Sequence, residues 1–253
     1  MNVLLQTPMG GKKLVGSQGL RKEAESLRAI VSTLEQDIVL GRLHPRERLI
    51  EDELMRRFSV KRHVIRQILS DLEQMGLVER VPNRGALVRV YDAKDIQQLY
   101  VLRDLLETRA ALLIPMPMPD ADIDDLKRVQ AVHDRAVASG DLGQVFRSNV
   151  EFHELLFSKT GNPHLSEAIK QFAQKTHGIR FYCLSYPGYL EQSRREHWLM
   201  IEAIEKCDPV SLSRLCGQHL LASRECYEKA VGIRAPIGSE STRMLASSGD
   251  QVS

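Results

Sequence analysis

Residues 51–88 read EDELMRRFSVKRHVIRQILSDLEQMGLVERVPNRGALV, and this stretch decides the fold of the N-terminal part. Apolar residues recur at helical spacing on both sides of the tripeptide FSV. The sequence therefore predicts two short helices, over residues 51–58 and 61–75, joined by a tight turn. Gly76 ends the second helix as a C-terminal glycine does. The period then becomes that of strands, with PNRG as a hairpin turn. Together with a helix over residues 24–40, this order predicts a winged helix-turn-helix.

The second helix of this stretch begins with basic side chains, at Lys61, Arg62, His63 and Arg66. In a helix-turn-helix protein, the first residues of the recognition helix meet base edges, and arginine suits guanine and phosphate oxygens. Arg84 at the hairpin tip is placed to reach a phosphate or the minor groove. The pattern predicts binding to double-stranded DNA. The alternative is a solvated basic face on a small helical subdomain.

Charge is divided unevenly along the 253 residues, whose net charge is only +2. Residues 1–91 hold 16 Lys and Arg against 11 Asp and Glu, whereas residues 92–253 hold 19 against 22. A basic N-terminal part joined to a mildly acidic remainder favours one part that meets a polyanion and one that does not. No apolar run is long enough to predict a membrane span or a signal peptide. The four cysteines form no C-x-x-C pair, which favours reduced thiols and a cytoplasmic protein.

The remainder of the chain is predicted to be an antiparallel bundle of helices. Helix stops and proline starts place them at about residues 93–114, 120–139, 142–160, 164–186, 190–206 and 209–232. The fold class is therefore mainly α, with one small β-hairpin wing. The predicted organisation is a flexible arm (1–23), a DNA-binding domain (24–91), an all-helical domain (92–233) and a disordered tail (234–253).

Polar side chains interrupt the apolar stripes of four helices in this second domain. The stretch NVEFH places Asn149 and His153 one turn apart among apolar neighbours. His197 and His219 lie on apolar stripes of two later helices, and Arg103 lies on that of the first. The same pattern therefore recurs on four helices that should face one core.

Imidazole nitrogens and an amide oxygen are ligands for zinc, nickel or manganese-like ions, and the cores of helical bundles are where such sites form. The spacing thus predicts one divalent metal bound by Asn149, His153, His197 and His219. The alternative is a set of hydrogen-bonded core histidines, which is the commoner role of a single histidine on an apolar face. His133 and His177 are candidates for groups that support the ligands.

Residues 34–90 resemble the DNA-binding domain of the GntR family of bacterial transcription regulators. The resemblance rests on IVLGRLHPRERLIEDELMRRFSV, RHVIRQILSDLEQMGLVER and NRGALV, in that order. It implies that Arg62 and Arg66 are DNA-contacting arginines and that Gly85 is the glycine of the wing turn. Two motifs depart from the family pattern: Pro45-Arg46-Glu47 stands for P-G-E, and KRHVIRQIL stands for S-R-x-P-V-R-E-A-L.

Residues 93–232 resemble the all-helical effector domain, called FCD, of the FadR-like branch of that family. The resemblance rests on Asn149 and His153, on His197 before EAIEKCD, on His219, and on the R-x-x-x-E of the first helix, Arg103 to Glu107. It implies a metal-containing, ligand-binding domain. Many members have Asp at the position of Asn149, so the neutral amide leaves this site one charge more positive.

Together these observations predict a homodimeric transcription regulator whose affinity for an inverted-repeat operator responds to a small organic acid. The acid is expected to bind the metal and Arg103, with Arg180 as a second candidate clamp, unless Arg103 instead pairs internally with Glu107. The connection at residues 91–95 is expected to report occupancy to the winged helix. Two alternatives remain at this stage: a metal-dependent hydrolase, and a helical interaction protein with a structural metal.

Overall fold

The computed structural model describes residues 14–81, 85–184 and 186–230. Over these residues it is mainly α-helical with one small antiparallel sheet, which confirms the predicted fold class. The elements are α1 (Leu14–Val39), β1 (Arg48–Leu49), α2 (Glu51–Phe58), α3 (Arg62–Gln74), β2 (Val78–Val81), β3 (Gly85–Val88), α4 (Ala93–Leu113), α5 (Asp120–Ser139), α6 (Leu142–Ser158), α7 (Pro163–Lys175), α8 (His177–Leu184), α9 (Pro187–Glu205) and α10 (Pro209–Ala230).

The turn between α2 and α3 is sharp for a local reason. Ser59 adopts the left-handed conformation with φ 53° and ends α2, and the extended Lys61 starts α3. The two helices pack with α1 and the sheet on a shared apolar core, whose fully buried members include Leu34, Ile65, Ile68, Leu69, Leu72 and Val78. This arrangement leaves the N-terminal turn of α3 exposed to solvent.

The sheet contains a third strand that the sequence analysis did not predict. The two-residue strand β1 pairs antiparallel with β3, and β3 pairs with β2. At Gly85, φ is +86° and a Cβ would lie 2.1 Å from the backbone oxygen of Leu49, so the approach of β1 requires glycine there. Arg46, where the family usually has glycine, also has a positive φ of 66°.

The N-terminal boundary needs a correction. Helix α1 begins at Leu14, so residues 14–23, assigned above to a flexible arm, are helical. The segment LRKEAE at residues 20–25 consists of strong helix formers, and two glycines before it cost only about 1 kcal/mol each relative to alanine. Residues 1–13 and the predicted tail, 234–253, lie outside the described residues.

The predicted helix over residues 164–186 is in fact two helices, α7 and α8, which meet at Thr176. The Thr176 hydroxyl donates to the carbonyl of Ala173 and accepts a hydrogen bond of 2.8 Å from Nη1 of Arg103. Periodicity could not reveal this break, because the apolar spacing continues through it. The break turns α8 toward the N-terminal domain.

Helix α8 joins the two domains. It packs against α1, and Nδ1 of His177 lies 2.7 Å from a carboxylate oxygen of Glu35. Tyr91, in the connection before α4, donates from its hydroxyl to the carbonyl of Gly76 at 2.9 Å. No helix in the described part of the chain is both long and apolar enough to cross a membrane.

Candidate metal centre, effector cavity and DNA-binding face

Three of the predicted ligands converge. His153 on α6, His197 on α9 and His219 on α10 form the histidine cluster, with one nitrogen of each within 4.8 Å of the others. Nε2 of His153 lies 3.2 Å from Nε2 of His219. Two nitrogens that bind one tetrahedral zinc lie about 3.3 Å apart, so this spacing fits a shared ion.

Two hydrogen bonds fix which nitrogens of the cluster are available. Nδ1 of His197 lies 2.8 Å from the amide oxygen of Gln130, and Nδ1 of His219 lies 2.7 Å from a carboxylate oxygen of Glu196. Both partners are acceptors, so each Nδ1 carries the hydrogen and each Nε2 presents a lone pair. Nε2 of His197 is buried and has no hydrogen-bond partner among the described residues.

Burial keeps the rings of His153 and His197 neutral. It lowers the pKa of His153 and of His197 well below 6.5, and the neighbouring His219 lowers both further. It also lowers the pKa of His133 to about 4. Neutral imidazoles with converging lone pairs are the donor set of zinc, nickel and related ions. The residues therefore fit a divalent metal.

Asn149, the fourth predicted ligand, is engaged with an arginine. With its carbonyl turned toward Arg180, the buried amide accepts hydrogen bonds of 2.5 Å from Nη1 and 3.3 Å from Nη2. Nε of Arg180 is buried and has no hydrogen-bond partner in the part of the chain that the structure describes. Both hydrogen bonds are accepted by the oxygen that would bind the metal, so ligation by Asn149 requires this pairing to change and stays a prediction.

Arg103 makes the internal pair that was the alternative in the sequence analysis. Its Nε donates to Glu107 at 2.8 Å, and both side chains are about 95% buried. Burial alone would lower the pKa of Arg103, but the Glu107 carboxylate, together with Tyr100 and Tyr189, more than offsets burial and the pKa is raised. With Thr176 also bound, Arg103 has less freedom to clamp a ligand than Arg180 has.

A cavity of about 500 Å³ opens beside the histidine cluster. Its walls include Arg103, Arg180, His153 and His177, together with apolar side chains of α6 and α7, Val150, Phe157 and Ile169. Lys170 and three acids, Glu107, Glu154 and Glu167, also border it, so the cavity combines apolar walls with charged groups of both signs.

Four of the predicted DNA-binding residues lie at the exposed start of α3. Lys61, Arg62, His63 and Arg66 form what is called here the basic face. Arg84 lies outside the described residues, and Gly85 begins β3. Two acids at the start of α2 approach the arginines: Asp52 lies 2.5 Å from Nη2 of Arg62, and Glu51 lies 3.2 Å from Nε of Arg66.

Both halves of the chain match known families. The model described as "Bacterial regulatory proteins, gntR family" matches residues 27–88, and that of the FCD domain matches residues 98–222. The chain is a GntR-family regulator with an FCD domain. This confirms the family resemblance, and the relatives of this GntR regulator agree with it.

Two relatives are "Uncharacterized HTH-type transcriptional regulator YdhC" of Bacillus subtilis (29% identity; 75% of this chain, 83% of the relative) and "HTH-type transcriptional repressor RspR" of Escherichia coli (24%; 76% and 84%). The solved structure titled "E. coli McbR/YncC" has a TM-score of 0.66 at 21% identity, covering 82% of this chain and 96% of that one. A putative GntR regulator from Rhodococcus sp. RHA1 has a TM-score of 0.69 at 19% identity, covering 83% and 99%. Both structures share the fold.

Sequence reasoning about this GntR regulator missed the residues that support the histidines and the arginines. Gln130 and Glu196 bind the cluster, yet neither stands at a distinctive spacing from its histidine; Glu196 merely precedes His197. Of the supporting candidates, His133 lies against His197, with ring centroids 5.2 Å apart, whereas His177 pairs with Glu35. For Glu51 and Asp52, the sequence showed only that they are acidic residues in the first turn of α2.

Proposed function

We propose that this GntR-family protein is a homodimeric transcription regulator whose operator affinity is controlled by a small carboxylate bound beside a divalent metal in the FCD domain. The observation that carries the proposal is the histidine cluster. Its nitrogens are oriented by Gln130 and Glu196 and lie beside a cavity that also contains an arginine without a carboxylate partner among the described residues.

In this proposal nitrogens of His153, His197 and His219 hold the ion, and the amide oxygen of Asn149 is the fourth ligand. The bound ion supplies positive charge and open positions for an oxygen of the acid. Arg180 binds the carboxylate, because a guanidinium is a planar two-point donor and, among the described residues, it hydrogen-bonds a neutral amide rather than a carboxylate. Arg103 borders the same cavity and serves mainly to hold Glu107 and Thr176.

Helix α8 supports a route from the cavity to the DNA. It carries Arg180 on the cavity side and His177 against Glu35 of α1. The connection at Tyr91–Asp95 provides a second contact, through Tyr91 and Gly76. A ligand shifts operator affinity only if it binds the two states of this junction unequally, so a displacement of α8 is the proposed difference.

The basic face is proposed to enter the major groove, with Arg62 and Arg66 at base edges and Arg84 at the wing. A dimer would read an inverted repeat. Support for dimerisation comes from neighbouring exposed apolar side chains of α4 and α10: Val101, Leu105, Leu112, Val210 and Leu221. As a DNA-binding regulator, the protein is placed in the cytoplasm.

A regulatory rather than enzymatic role is supported by the relatives, which are transcription regulators. It is also supported by the carboxylates that contact the histidine cluster or border the cavity, of which Glu154 pairs with Lys170 at 3.1 Å. Glu196 is directed at Nδ1 of His219 and Glu107 at Arg103, so each has a structural partner rather than a free position from which to take a proton from water.

Calorimetric titration tests the proposal. A panel of hydroxy-, keto- and sugar acids found by thermal shift is titrated into metal-loaded and chelator-treated protein. Binding should require metal. Tight binding that ignores the chelator would place the effector away from the histidine cluster.

A further inference from the structure

The arginines of the basic face are held by acids in two different ways. Nε of Arg66 donates to both carboxylate oxygens of Glu51, at 3.2 and 3.3 Å. Among the described residues, no hydrogen bond engages Nη1 or Nη2 of Arg66. Arg62, in contrast, has Nη2 on Asp52 at 2.5 Å and Nη1 3.8 Å from Glu51. Within the described residues, the two Nη donors of Arg66 are therefore not engaged, whereas those of Arg62 face carboxylates.

The two acids also differ in their exposure. The side chain of Glu51 is 18% exposed and sits under the arginine, whereas that of Asp52 is 67% exposed. Glu51 therefore has little freedom to leave Arg66. Asp52 is hydrated, and DNA can displace it at the small cost typical of exposed ion pairs.

We propose that Glu51 is a positioning residue for base recognition: it holds Arg66 so that Nη1 and Nη2 point outward as a pair. Guanine offers two acceptors, O6 and N7, that match this pair. A phosphate can bind a guanidinium in many orientations, so positioning Arg66 adds little to its binding. The negative charge of Glu51 also repels the phosphate. Glu51 thereby raises the ratio of specific to non-specific affinity. The inference rests on the proposed contact of Arg66 with DNA.

Asp52 supplies the matched contrast. It competes with DNA for the Nη end of Arg62 without fixing a reading geometry. Removing its charge should strengthen binding to every sequence, by about two- to fivefold, and should leave the specificity ratio unchanged.

The test uses the full-length protein and two duplexes, one selected by the wild type from a randomised pool and one scrambled. Fluorescence anisotropy gives both Kd values at several salt concentrations. Glu51→Gln should weaken selected binding and strengthen scrambled binding, lowering the ratio about tenfold, within the roughly 5- to 150-fold that one bidentate contact supplies. The salt dependence on the scrambled duplex should steepen by up to about one phosphate contact.

Two further variants make the outcome decisive. In an Arg66→Ala background, Glu51→Gln should leave the ratio unchanged, because there is no guanidinium to position. If Glu51→Gln weakened binding to both duplexes equally, Glu51 would merely stabilise α2 and the inference would be overturned. It would also be overturned if Glu51→Gln kept the wild-type specificity ratio while Arg66→Ala lowered it. Full specificity in Arg66→Ala itself would instead refute the proposed DNA contact.

Discussion

The basic face and the core of the helical domain both bring arginines against carboxylates, but in opposite surroundings. The Arg62 and Asp52 side chains are 51% and 67% exposed, and Arg103 and Glu107 are 5% and 3% exposed. An exposed ion pair contributes only ~0–1 kcal/mol, so its partners can be exchanged for DNA. Breaking a buried pair costs ~3–5 kcal/mol, because the remaining charge stays desolvated. Exposure thus decides whether a charged pair is a contact surface or part of the scaffold.

The largest effect is expected for a substitution in the buried histidine cluster. His219→Ala removes a ligand whose Nδ1 is already fixed by Glu196, so protein purified without a histidine tag should lose its metal. The exposed His164 on α7 offers a control, and His164→Ala should keep full occupancy. Elemental analysis of both variants is the measurement. Equal metal content in wild type and His219→Ala would make the cluster a set of core histidines.

Arg103→Met should unfold in less urea than the wild type, by ~3–5 kcal/mol, because Glu107 is left buried without its partner. The double variant Arg103→Met/Glu107→Leu should recover most of that loss. Arg180→Met should cost less stability and yet abolish carboxylate binding in calorimetry. If Arg180→Met still bound the carboxylate and the stable double variant did not, Arg103 rather than Arg180 would be the residue that binds it.

Acid should destabilise the metal-free protein through the buried histidines. His133 has a pKa of about 4 when folded and about 6.5 when unfolded, so between these values the unfolded chain binds more protons. The stabilisation that comes from His133 being neutral is present above pH 6.5 and is lost as the pH falls toward 4. For this residue the free energy of unfolding should decrease by ~2 kcal/mol between pH 7 and 5.

Urea unfolding of chelator-treated wild type and His133→Gln at both pH values measures this difference. The variant should lose less stability on acidification than the wild type. Equal losses would mean that His133 is protonated in the folded protein.

On the basic face the effects should be smaller. Arg66→Ala should cost ~1–3 kcal/mol on a selected duplex and relax the preference at one base pair. Arg84→Ala should weaken all duplexes about equally. Gel-shift titrations against single-base variants of the duplex separate the two patterns, and an unchanged preference in Arg66→Ala would remove this residue from base recognition.

Much of this architecture could be predicted because helical periodicity records burial. It located the α2–α3 turn and placed His153, His197 and His219 toward one core. It could not reveal Gln130 or Glu196, because a residue that binds a histidine across helices needs no fixed spacing in sequence. Nor could it reveal the break at Thr176, which depends on a hydrogen bond from Arg103, 73 residues earlier. Two-residue β1 is too short to show any period, and only its pairing with β3 defines it.

In the proposed function, a ligand in the buried core changes the affinity of the basic face for DNA. This effect is tested most directly by the operator Kd of metal-loaded protein, measured by anisotropy with and without a saturating carboxylate from the thermal-shift panel. The operator Kd should change about 5- to 150-fold, and the change should disappear in Arg180→Met and after chelation. An operator Kd that stays constant while the carboxylate is shown to be bound would contradict it.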